Sequence, residues 1–133
     1  MNLENFERVK AAILANPESF HMSWFAAKDD RSPCGTVGCM AGFCDWLTAI
    51  DGYKETLFTS SGQLRRGFIN DGAELVIRNA KQFLGISDGQ ADALFHTADW
   101  PSKYTQRYFE AVDADSRATV VVRRIDHFLA TGE

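Results

Sequence analysis

The chain is short of the residues that usually announce chemistry. Its 133 residues include three cysteines, three histidines and three prolines. The cysteines are Cys34, Cys39 and Cys44, all inside one stretch, SPCGTVGCMAGFC. An odd and small count does not build a disulfide framework, which sets aside the disulfide-stapled secreted classes. Positive charge is also short. Fourteen Lys and Arg face eighteen Asp and Glu, for a net charge of −4 and a pI near 5.3. Nucleic-acid binders carry a basic stripe. Here Arg65-Arg66 and Arg123-Arg124 are isolated pairs and read as solvated surface, so nucleic acid is not the expected partner. No apolar run approaches the roughly 20 residues of a membrane span. The opening MNLENFERVKAAIL is broken by Glu4, Glu7, Arg8 and Lys10, so it does not read as a signal peptide. The expectation is a cytoplasmic protein without membrane contact. Gly35-Thr36-Val37-Gly38 lacks the lysine and the preceding strand of a phosphate loop, and no cofactor is expected.

What is present is core material. Hydrophobic residues make up 45% of the chain, with ten phenylalanines, three tryptophans and three tyrosines. That suits one domain, residues 1–133, around a single core. Leu3, Phe6, Val9, Ile13 and Leu14 recur at helical spacing, and Asn16-Pro17 ends that helix. Residues 36–50 read as a second helix with Cys39, Gly42, Phe43, Trp46, Leu47 and Ile50 as its apolar stripe. Ser60-Ser61-Gly62 would turn a small hairpin between 55–59 and 63–69. The clearest helix is 71–84, where Ala73, Val76, Ile77, Ala80, Phe83 and Leu84 follow the i, i+3, i+4, i+7 pattern. Gly85 supplies a left-handed cap, and Ser87 with Gln90 forms a capping box for the next helix. Trp100-Pro101 starts a further helix with Tyr104, Tyr108, Phe109 and Val112 on its apolar side. Ser116 caps the last one, where Val121, Val122, Ile125, Phe128 and Leu129 face inward. The fold class is all-α, five or six helices, with room for one small β-hairpin.

The cysteine stretch admits two readings. In the first it is packing. Thr36 caps the helix, Gly38 and Gly42 allow close backbone approach, and Cys39 and Cys44 act as small buried hydrophobes. In the second, Cys34 lies just before a helix N-terminus, where free amides stabilise a thiolate. A base would then come from His21, His96 or His127. Cys-Gly-x-x-Cys at the mouth of an apolar helix looks like the nucleophile helix of papain-like and bacteriocin-processing cysteine peptidases. Those enzymes hold the histidine on a strand, and this chain lacks the sheet for one. A metal is not expected. C-x4-C-x4-C is not a zinc spacing, and steps of five on one helix turn the thiols about 140° apart. A Cys34–Cys39 disulfide requires Cα atoms within about 7 Å.

Cys34-Gly35-Thr36-Val37-Gly38-Cys39-Met40-Ala41-Gly42 resembles the hallmark of a family of small bacterial and phage proteins, C-G-T-x-x-C-(Ile/Leu/Met)-A-G. Further elements are similar to that family: Phe83-Leu84-Gly85-Ile86, Ala91-Asp92-Ala93-Leu94-Phe95, Trp100-Pro101 with Tyr104 or Tyr108, and Arg124-Ile125-Asp126-His127-Phe128-Leu129. The resemblance leaves residues 53–70 unmatched. It implies a helical fold and a regulatory or accessory role, and brings no established activity.

The remaining candidates are aromatic. Trp24, Trp100 and Tyr104 are candidate binding residues, although Trp100 before a helix start reads more simply as a core or boundary residue. Asp113 and Asp115 flank an evident turn and read as solvated caps. The leading expectation is a helical module that binds another protein without catalysis. The alternative is a thiol enzyme with Cys34 as nucleophile and His96 or His127 as base.

Overall fold

Local capping sets most of the helix boundaries. The Asn2 side chain accepts the amide of Asn5 and starts α1, Leu3–Ala15. Asn16-Pro17 ends it and leads into a short 3-10 turn, Pro17–Ser19. The computed structural model describes residues 1–20, 26–28, 36–63 and 72–133. Beyond α1 it contains α2 (Met40–Ile50), α3 (Gly72–Leu84), α4 (Asp88–Phe95), α5 (Ser102–Glu110) and α6 (Ala114–Thr131). Two three-residue strands, β1 (Ala26–Lys28) and β2 (Thr36–Gly38), pair antiparallel, with Ala27 opposite Val37. The architecture is all-α with this one small β element.

Several details differ from the sequence reading. The helix expected at 36–50 begins at Met40, because Thr36 and Val37 extend to pair with β1 instead of opening a helix. Its N-cap is Cys39, in extended backbone, and not Thr36. A small β element is formed by β1–β2. Of the hairpin expected at 55–59 and 63–69, the turn is present, closed by the Thr59 amide on the Gln63 carbonyl at 2.7 Å, and its second arm beyond Gln63 lies outside the described residues. The cap of α6 is Asp113, which accepts the Ser116 amide at 2.7 Å, so Ser116 is the capped residue and not the cap. Finally, Leu3, Leu14, Ile50, Phe109 and Val112 are exposed, not inward.

The α3–α4 junction follows its sequence signals. Gly85 takes a positive φ of +65°, and a side chain there would meet the Asn2 amide nitrogen at 3.3 Å. That approach has a purpose. The end of α3 leaves carbonyls without helical partners. The Asn2 amide donates to Leu84 O at 2.8 Å and Asn5 Nδ2 donates to Phe83 O at 2.8 Å. The start of α1 thus caps the end of α3. The Ser87–Gln90 box then starts α4.

The helices share one core. Phe6, Val9 and Ile13 of α1 meet Phe43, Cys44 and Leu47 of α2, Val76 and Ala80 of α3, and Val121, Ile125 and Phe128 of α6. α1 packs on α2, α3 and α6, so it is the hub, while α5 leans mainly on α6. Polar groups sit inside as well. Asp45 on α2 is fully buried. Its Oδ2 accepts the Phe58 amide at 2.8 Å, and its Oδ1 accepts the Leu57 amide at 3.2 Å and Asn79 Nδ2 at 2.8 Å. Asn79, on α3, also donates to Glu55 O at 2.9 Å. A buried carboxylate is costly without donors, and these amides supply them.

Removing the acceptor leaves two buried amides with no carboxylate. Asp45→Ala is expected to lower stability by about 3 kcal/mol, read by urea unfolding. The surface pair of Arg8 with Asp51, at 2.8 and 2.9 Å, gives the contrast. Its hydrogen bond holds the Asp51 carboxyl below the ordinary range. A lowered folded value means the contribution is present above pH ~4 and fades on acidification below it. Asp51 is half exposed, so Asp51→Asn should cost well under about 1 kcal/mol at neutral pH. Equal losses for the two variants would contradict the assignment of Asp45 as the internal clamp.

Candidate functional site

The cysteine stretch divides on inspection. Cys34 lies outside the described residues, as do His21 and Trp24. The residue that does hold the helix N-terminus is Cys39, and both Cys39 and Cys44 are buried free thiols. Two effects compete at Cys39. The amides of Gly42 and Ala41 favour a thiolate, but burial disfavours the charge and dominates, raising the thiol to about 11. Burial likewise pushes Cys44 well up, and the neighbouring Cys39 and Asp45 add to it. These are packed, protonated thiols.

The candidate bases are elsewhere. His96 caps the C-terminus of α4 and stands 3.7 Å from Asp92, half exposed. His127, on α6, packs its ring at a tilt against Tyr104 with centroids 5.3 Å apart. Neither histidine hydrogen-bonds to Cys39 or Cys44. Among the described residues no three His, Cys, Asp or Glu side chains group to hold a metal ion. No helix among them is long and apolar enough to cross a membrane.

A buried cation lies behind Tyr104. Arg124 on α6 is fully enclosed, and its Nη2 donates to Ala93 O at 3.0 Å and Glu133 O at 2.6 Å. Burial lowers its pKa, and Tyr104 partly offsets this. Nε and Nη1 make no hydrogen bond. The guanidinium ties the last turn of α4 to the Glu133 carbonyl just beyond α6. It is a structural clamp, not the solvated surface charge expected from its place beside Arg123.

The open feature is on α5. Trp100 is buried, donates from Nε1 to Leu94 O at 2.8 Å and meets Tyr108 edge-on at 5.9 Å. Tyr104 is buried too, beneath Lys103 at 5.0 Å. So Trp100 and Tyr104 are core residues, as the simpler reading of Trp100 had it. One edge of Trp100 nevertheless forms the floor of an open groove of about 430 Å³, with Ala98, Ser102, Thr105, Gln106 and Phe109 around it. Phe109 is 63% exposed and Val112 is 90% exposed.

Sequence reasoning placed Phe109 and Val112 with the inward tyrosines. The helical wheel separates them. At 3.6 residues per turn Tyr104 and Tyr108 lie about 40° apart, whereas Phe109 is about 140° from Tyr104. Phe109 therefore belongs to the outward seam with Ser102 and Gln106. α5 ends at Glu110 with Ala111 as its C-cap, so Val112 stands in the connection to α6.

No family model, curated protein or solved structure matches the chain.

The thiol assignment has a direct consequence. In the folded protein, alkylation of Cys39 and Cys44 at pH 8 should be at least about 100-fold slower than in urea. Because the folded value of Cys39 is raised, the unfolded chain ionises first. Stability should hold below pH ~8.5 and decline as pH climbs toward 11. Peptide-resolved mass mapping reads the first effect and urea unfolding at several pH values the second. Rapid native labelling of either thiol would contradict the packing account.

Proposed function

We propose that this chain is a non-catalytic cytoplasmic module that binds another protein through the outer face of α5, in a regulatory or accessory role. The observation that carries the reading is the pairing of a large exposed aromatic, Phe109, with an open groove floored by Trp100. Isolated exposed apolar residues are ordinary on protein surfaces. An exposed aromatic and Val112 beside a concave, aromatic-floored surface form the kind of patch that associates with partners. The buried, protonated state of Cys39 and Cys44 supports it by taking those two thiols out of surface chemistry. Net negative charge supports a protein over a nucleic acid. The resemblance of the cysteine motif to small bacterial and phage proteins supports an accessory role.

The test places a photo-cross-linking residue at Gln106, inside the face, and a control at Arg123, exposed on α6. Cross-linked adducts should form in cells from position 106 and vanish when Phe109→Asp is added. The control should give none. Adducts of equal yield from both positions, or none from 106, would sink the assignment of this face. Far-ultraviolet circular dichroism of Phe109→Asp should match the parent, since Phe109 is not part of the core.

A further inference from the structure

We draw no further inference here: the strongest candidate, the open groove on the outer face of α5 between Trp100 and Phe109, belongs to the face already described, and nothing in the structure shows what covers it.

Discussion

A single buried carboxylate organises one side of this protein. Asp45 leaves α2 toward the interior, where a charge is unfavourable unless donors meet it. The donors come from two places far away in the chain. Leu57 and Phe58 offer backbone amides from the connection after α2, and Asn79 offers its side chain from α3. The carboxylate therefore holds a helix, a loop and a second helix at one point. Because α1 packs on both α2 and α3, and its first turn caps the end of α3, the hub depends on the same clamp. Hydrophobic burial supplies most of the driving force for the fold. The Asp45 contacts decide where the loop lies and at what register α2 meets α3.

The position of α2 in turn decides the chemistry of its cysteines. A helix N-terminus lowers a thiol's pKa, and burial raises it. At Cys39 both act, and burial is the larger effect. The helix begins six residues after Cys34, behind a strand, so the amides of its first turn serve Cys39. Two of the motif's three thiols, Cys39 and Cys44, are packing once the helix start is known, and Cys34 lies outside the described residues. The outward surface of α5 carries a large exposed aromatic, Phe109, whose ring meets the core edge-on at Tyr108.

How much of this was legible depends on how local each cause is. The Asn16-Pro17 stop, the Gly85 turn and the Ser87–Gln90 box each involve residues within four positions of one another, and each stands where the sequence placed it. The start of α2 was not legible. Thr36 is a good cap by local rules, but pairing with residues 26–28 takes it into a strand. No local rule contains that partner. The Asp45–Asn79 contact spans 34 positions and leaves no periodic trace. Asp45 reads in sequence as one more polar position on an apolar helix. Phe109 was legible in principle. Its angle from Tyr104 excludes a shared stripe, and grouping it by aromatic character with Tyr108 hid that.

The central claim is an inversion: these cysteines are interior, and the conspicuous surface residue is an aromatic on α5. Hydroxyl-radical footprinting of the dilute folded protein, with modification quantified at each side chain, tests it in one measurement. Free thiols are intrinsically more reactive toward oxidants than a phenylalanine ring, so only burial can reverse the order. The account predicts strong oxidation at Phe109 with Cys39 and Cys44 protected until the protein is unfolded. Oxidation of Cys39 or Cys44 ahead of Phe109 in the folded state would contradict it.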